Sequence, residues 1–392
     1  MKLRVGLIGL GEHWQTMHRP ALRMLSERFD VRAIYSSVAK LAENAVSEFQ
    51  ADPVDSYQSM VHRDDIDAVL ILERSWLRFL PAMAACRAGK AVYWAGCLDL
   101  DPQSDIQFKT CVEESGVAFM AGLPRRYAPA TLRLKELIAT HLGPPRLIFC
   151  HKRLSIDGRS SANGSLARRD AESRLGDGTK VGPDEIQNLA MRTELIELID
   201  WCCYVVAGRP VSVVSANQPS CFLGDYQALS LAFDRVDAEG NGRATANPVT
   251  KVSQNGHSAV GQPGHAEDGQ ATAQISCGSY IPSRWQEAIG FRPPAAMQVC
   301  CQRGVAFVDL PGTLVWFDDA GRHQESLEME SPVGEKMLSQ FHRAVTSLVR
   351  NLCGLDDAYR AAAILKAAQS SNTQGQRVEL SSSADQSSLV VA

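Results

Sequence analysis

Leu3-Arg4-Val5-Gly6-Leu7-Ile8-Gly9-Leu10-Gly11-Glu12-His13-Trp14 opens the chain, and its reading decides the fold. Leu3–Ile8 is an apolar run closed by glycine, the pattern of a strand covered on both faces. Gly9 and Gly11 follow it, and helical spacing begins soon after. In a dinucleotide site the first glycine makes the tight turn and the second lets backbone approach a pyrophosphate. The next helix then offers amide donors and a favourable dipole. Trp14 stands where a third small residue would allow close helix–strand packing. The plainer alternative is that Gly9 and Gly11 only turn the chain.

Working outward, strand-like and helical stretches alternate through residue 124. Val31–Tyr35, Ala68–Leu72, Ala91–Trp94 and Val117–Ala121 read as strands. Arg19–Ser26, Val38–Phe49, Leu77–Ala88 and Asp101–Ser115 read as helices, the last with Asp101 as N-cap and Pro102 at the first helical position. Repeated units of this length predict a doubly wound parallel sheet, a Rossmann domain over residues 1–124. After Pro124 the rhythm changes. Helices are expected at Ala130–Leu142, Ile186–Ala207, Gly334–Asn351 and Asp356–Ser370. Strands dominate between Val211 and Phe317, with another at Arg146–His151. A second, C-terminal α+β domain is expected over 125–380. Residues 154–185 and 238–270 read as long loops and 381–392 as a frayed tail.

The second strand ends Ala33-Ile34-Tyr35-Ser36-Ser37, with Lys40 beyond and no carboxylate to meet an adenosine ribose. A carboxylate there repels a 2′-phosphate, so Ser36, Ser37 and Lys40 are compatible with NADP as well as NAD. A solvated loop is the alternative. Gly9, Gly11, Glu12, His13 and Trp14 complete the cofactor-binding candidates of this half. For the imidazoles of His13 and His18, packing or capping is the expected role.

Composition excludes several classes. The 392 residues are 45% apolar and 21% charged with a formal net charge of −4, which leaves no basic footprint for nucleic acid or an anionic membrane. No run reaches the length of a membrane span, and the N-terminus lacks a signal-peptide pattern. Eleven cysteines without Cys-x-x-Cys, some adjacent as in Cys202-Cys203 and Cys300-Cys301, argue against disulfides and zinc. A cytoplasmic protein without metal is expected.

The order and spacing of several segments resemble the glucose–fructose oxidoreductase/inositol dehydrogenase (Gfo/Idh/MocA) family over nearly the whole chain. Gly9-Leu10-Gly11 with His18-Arg19-Pro20-Ala21-Leu22 is similar to its first turn and helix. Asp65–Ile71 with Ala84–Val92 is similar to its next strand units. Arg126-Tyr127-Ala128-Pro129 matches its junction segment, Glu197–Asp200 falls on its His-x-x-Asp, and Asp356-Asp357-Ala358 resembles its last helix. The resemblance implies a Rossmann domain followed by a C-terminal α+β domain on a large, mostly antiparallel sheet, with homodimers or homotetramers formed through that open sheet. It also implies NAD or NADP and a sugar-like hydroxyl or carbonyl substrate bound between the domains. It adds Glu73, Arg74, Ser75 and Trp94 to the cofactor-binding set.

The chain departs from that family where chemistry is done. The Glu-Lys-Pro lysine falls on Gly96, within Ala95-Gly96-Cys97, and the Asp-x-x-x-His pair falls on Thr193 and Glu197. A further histidine falls on Arg78, while Asp200 keeps the substrate-side aspartate. Hydride transfer coupled to a hydroxyl proton needs an acid and a base of matched pKa. Glu197, Asp200 and Arg126 are the catalytic candidates, with Glu194 one helical turn from Glu197. Ordinary ion pairs with Arg126, Lys152 or Arg192 are the alternative for these carboxylates. Two functions are therefore expected to compete: an NAD(P)-dependent oxidoreductase, or a silent relative that binds nucleotide or sugar as a sensor or scaffold.

Overall fold

The computed structural model describes residues 1–11, 13–73, 77–95, 100–154, 183–218, 226–234, 270–278, 296–347 and 352–380. The expected loops at 154–185 and 238–270 and the tail 381–392 lie almost wholly outside these residues.

The first layer begins with β1 (Leu3–Ile8), a π-helical turn (Trp14–His18) running into α1 (Arg19–Met24), β2 (Phe29–Tyr35) and α2 (Ala39–Phe49). It continues through β3 (Asp52–Pro53), α3 (Tyr57–Val61), β4 (Ala68–Ile71), α4 (Leu80–Arg87), β5 (Ala91–Trp94), α5 (Ile106–Ser115) and β6 (Phe119–Ala121). Every residue of β4 and of β5 is buried, as the apolar runs required of strands covered on both faces. β1 lies between β2 and β4, all parallel, so the direction of winding reverses there and a crevice opens at the strands' C-terminal ends.

α6 (Pro124–Tyr127) and α7 (Pro129–Leu137) lead to β7 (Pro145–Arg153) and the 24-residue α8 (Pro183–Val206). β8 (Pro210–Gln218), β9 (Tyr226–Phe233), β10 (Thr272–Gly278), β11 (Met297–Cys301), β12 (Gly304–Asp309), β13 (Thr313–Asp318) and β14 (Gly321–Ser326) follow. α9 (Val333–Thr346), β15 (Leu352–Cys353), α10 (Leu355–Gln374) and β16 (Val378–Glu379) close the described chain. The second sheet runs β14-β13-β12-β11-β7-β10-β9-β8-β16 and is antiparallel except for β7 beside β10. Period-two burial in β9 sets Leu229, Leu231 and Phe233 on the face that packs against helices. Phe149, Val214 and Phe317 are among its exposed apolar residues.

The expected doubly wound and antiparallel sheets are both present, with local differences. The Asp101 carboxylate does accept amides, from Gln103 and Ser104, yet it caps only a turn, and regular helix starts at Ile106. The first helix starts earlier than expected, because the π-helical turn from Trp14 carries the His18 amide to the His13 carbonyl at 3.1 Å. Short β3, β15 and β16 have too few residues to show a period, and polar, largely exposed β14 lacks an apolar one. The first layer also draws on the far end of the chain. β15 pairs parallel with β6, and α9 buries Met337, Leu338 and Phe341 in the cluster that holds Leu3, Leu7 and Trp14. A Cβ at Gly334 would stand 2.5 Å from the Met17 carbonyl oxygen, so glycine permits this approach. Among the described residues no helix is long and apolar enough to cross a membrane.

His18 lies beneath this contact, 1% exposed, with Nε2 3.3 Å from the Tyr93 hydroxyl and Nδ1 without a partner. Burial, helped by the nearby His13 charge, lowers its pKa from 6.5 to about 3, so the ring is neutral. A base with a depressed pKa contributes stability that is complete above its unfolded value and is lost on acidification. Relative to His18→Leu, the wild type should therefore lose about 1.4 kcal/mol per pH unit between roughly pH 6 and 4. Urea unfolding of both proteins across that range checks this. Parallel pH profiles would show that His18 is solvated.

Candidate active site at the domain junction

Gly9 adopts φ +78°, and its amide donates to the Tyr35 carbonyl at 2.7 Å, which ties the turn to the end of β2. A Cβ on Gly11 would meet the Leu72 carbonyl oxygen at 2.8 Å, so both glycines are required by geometry. Above them lies Glu73. A Cβ on Gly9 would fall 2.0 Å from its Cγ, and its Oε2 accepts the Leu10 amide at 3.1 Å. The turn thus presents backbone donors at the crevice, and a carboxylate of the chain takes one of them.

The other cofactor candidates are distributed unevenly. Trp14 is 3% exposed and packs against Phe49 with ring centroids 5.9 Å apart, so its indole belongs to the core. Trp94 is likewise buried, edge-on to Phe79 and Phe108, and only its backbone borders the crevice, where the Gly122 amide reaches its carbonyl at 2.7 Å. Ser36 accepts the Val38 amide at 3.2 Å, Ser37 is exposed, and Lys40 lies 3.3 Å from Glu43 on the surface. Glu12, Arg74, Ser75, Gly96 and Cys97 lie outside the described residues.

Facing the turn is a cluster of charge. α6 leaves the end of β6 with consecutive arginines, and α8 offers carboxylates at three-residue spacing. Arg125 reaches Glu194 at 2.5 Å and Glu197 at 2.7 Å. Arg126 grips Asp200 with two nitrogens, one of them at 2.7 Å, and holds Asp357 of α10 at 2.7 Å. Tyr204 stacks beneath the Arg126 guanidinium at 5.0 Å. Lys152, from the end of β7, stands 3.7 Å from Glu194. Such forked charge-assisted bonds are strong and directional.

Environment separates the three carboxylates. Burial pushes the Glu197 carboxyl up, opposed by the Arg125 charge and reinforced by Glu194. Burial also acts on Glu194, yet Arg125 and Lys152 outweigh it and hold that carboxyl below its ordinary value. Asp200 is raised by burial against the pull of Arg126, and it is only 2% exposed. A charge on His13 would favour the ionised forms of Glu194 and Glu197, so that residue lies within electrostatic reach of both. Two neighbouring glutamates with unlike proton affinities are the raw material of acid–base chemistry.

The sequence reading named Glu197, Asp200 and Arg126, and the structure brings them together. The expected partner of Glu197 was Arg126, Lys152 or Arg192; the observed one is Arg125, although its adjacency to Arg126 was visible. Arg78, aligned with a family histidine, instead binds Asp105 at 2.8 Å and lies over the Phe79 ring. Thr193 donates to the Leu189 carbonyl of its own helix at 2.9 Å.

A parallel doubly wound layer joined to a large, mostly antiparallel sheet, with charged groups at the junction, defines a two-domain α/β architecture. Residues 3–122 match the model of the Gfo/Idh/MocA oxidoreductase family, described as an NAD-binding Rossmann fold. A dehydrogenase of Aspergillus oryzae, aclE, is 29% identical over 148 residues, 35% of this chain and 40% of that one. The match therefore spans well under two thirds of that relative. Levoglucosan dehydrogenase, in a complex with NADH and levoglucosan, superposes with a TM-score of 0.70 at 16% identity, covering 97% of this chain and 100% of that one. The aldose-aldose oxidoreductase of Caulobacter crescentus, complexed with glycerol, gives 0.68 at 14% identity over 97% and 100%. At such identities the likeness is one of fold.

Arg126→Met should destabilise the protein by about 3–5 kcal/mol, since it strands the buried Asp200 charge. Denaturant unfolding at neutral pH checks this. A cost below about 1 kcal/mol would show that Asp200 is solvated.

Proposed function

We propose that this protein is an NAD(P)-dependent oxidoreductase acting on a small polar or sugar-like substrate held between the glycine turn and α8. The observation that carries the reading is the convergence of Glu197, Glu194, Arg125, Lys152 and His13 opposite a turn built for backbone donors. A bound nicotinamide would supply the hydride donor or acceptor. Gly9, Leu10 and Gly11 would hold its pyrophosphate by backbone amides, and Ser36, Ser37 and Lys40 would meet the adenosine ribose or its 2′-phosphate. Glu197, with its raised proton affinity, would move the proton of the reacting hydroxyl, and Arg125 would hold its carboxylate in place. His13 faces the same space and would take or return that proton. Arg126, Asp200 and Asp357 serve as a clamp joining α6, α8 and α10 beneath the site.

The exposed Phe149, Val214 and Phe317 support pairing of copies into dimers or tetramers through the second sheet. The eight free thiols among the described cysteines suit a reducing compartment such as the cytoplasm. The ion-paired state of both glutamates favours a second reading, a silent relative that keeps nucleotide or sugar binding without turnover.

Thermal unfolding with NAD, NADH, NADP and NADPH separates these readings from neither. A ligand at one hundred times its Kd should stabilise the native state by about 2.7 kcal/mol. No shift with any of the four at millimolar concentration would overturn the dinucleotide site. Given a binder, polyols and sugar acids are screened for turnover, and Glu197→Gln should reduce kcat about 10²–10⁴-fold in a protein that still folds and binds the dinucleotide. It should also remove an acidic limb of the pH–rate profile lying above the ordinary glutamate range. Unchanged turnover would clear Glu197 of a proton role.

A further inference from the structure

The glycine turn already holds an anion. The Glu73 Oε2 lies 3.1 Å from the Leu10 nitrogen, in the position of an oxygen accepting a donor of the turn. Its methylenes lie directly over Gly9, where an added Cβ would overlap Cγ at 2.0 Å and Cδ at 2.3 Å. At Gly11 an added Cβ would meet the Glu73 Cβ at 2.8 Å. The space that the two glycines leave by lacking side chains is thus filled by one residue, from the far side of the crevice at the end of β4.

We propose that Glu73 is an internal competitor for the pyrophosphate position, so that a dinucleotide binds only by displacing its carboxylate from the glycine turn. The inference rests on the dinucleotide reading and adds to it a residue that sets affinity and selects against phosphate-bearing ligands. Two physical effects act together. The Leu10 amide donates to Glu73 and is withheld from an incoming phosphate oxygen. A carboxylate over Gly9 also repels a diphosphate at close range, where the partly buried crevice screens charge poorly. An uncharged ligand such as adenosine meets neither penalty.

Titration of the full chain with NADH, NADPH, ADP and adenosine tests this, using nucleotide fluorescence or calorimetry. Glu73→Ala removes both the acceptor and the charge. Glu73→Gln removes the charge and keeps an acceptor of similar shape, which guards against a folding defect in the first variant. NADH or NADPH and ADP should bind at least tenfold tighter to both variants than to the wild type, with adenosine unchanged. Binding by the variants alone would support the proposal equally. Equal or weaker dinucleotide binding by the variants would overturn it, and a wild type that binds would still leave the dinucleotide site standing. A matching gain for adenosine would also overturn it, since the crevice would then simply have been emptied of bulk. Silence from wild type and variants alike at millimolar nucleotide would sink both the proposal and the dinucleotide reading.

Discussion

Two consecutive arginines on one short helix set the geometry of the whole junction. Arg125 and Arg126 leave the end of the parallel sheet and take four carboxylates from two helices of the other layer. A helical step of about 100° between neighbours separates the two forks, so Arg125 meets the Glu194–Glu197 level and Arg126 meets Asp200 below it. Such pairs add little net stability against apolar replacements, because both charges must be dehydrated. They do fix orientation. A guanidinium fork tolerates only a narrow set of carboxylate positions, so α8 is held in one rotation and one height against the crevice.

That constraint shapes the available chemistry. By the family resemblance a lysine falls on Gly96 and a histidine on Glu197. Positive charge at the junction comes from Arg125 of α6 and Lys152 of β7, both beside Glu194. Of the two glutamates Glu197 has the raised proton affinity, because burial outweighs Arg125 there, while at Glu194 Lys152 joins Arg125 and the two charges prevail. The asymmetry distinguishes one member of the pair without any change of residue type.

The sequence made the layers legible because their strands are short apolar runs punctuated by glycine. β4 and β5 need no partner to declare themselves, and Gly9 and Gly11 reveal the turn by spacing alone. Helix ends were harder to read: Asp101-Pro102 has the right residues for a helix start, yet the carboxylate satisfies only a turn before the axis is established. The site was visible as a set and hidden in its pairings. Glu197, Asp200 and Arg126 were in view, but which guanidinium meets which carboxylate depends on how far each helix is rotated. Trp14 and Trp94 looked like crevice residues by position, although large indoles find more contact area inward. Glu73 was in view as a cofactor candidate, but its seat on the glycine turn was hidden, since its partner is a backbone amide 63 residues away.

The placement of α9 and β15 carries a consequence for how the molecule is made. Leu3 and Leu7 share a core with Met337, Leu338 and Phe341, and β6 gains its outer neighbour from Leu352. A ribosome delivers those partners only after more than three hundred further residues have emerged, so one face of the opening strand waits uncovered. Closing so long a loop is slow. The nascent first layer is therefore completed only once α9 and β15 have been made.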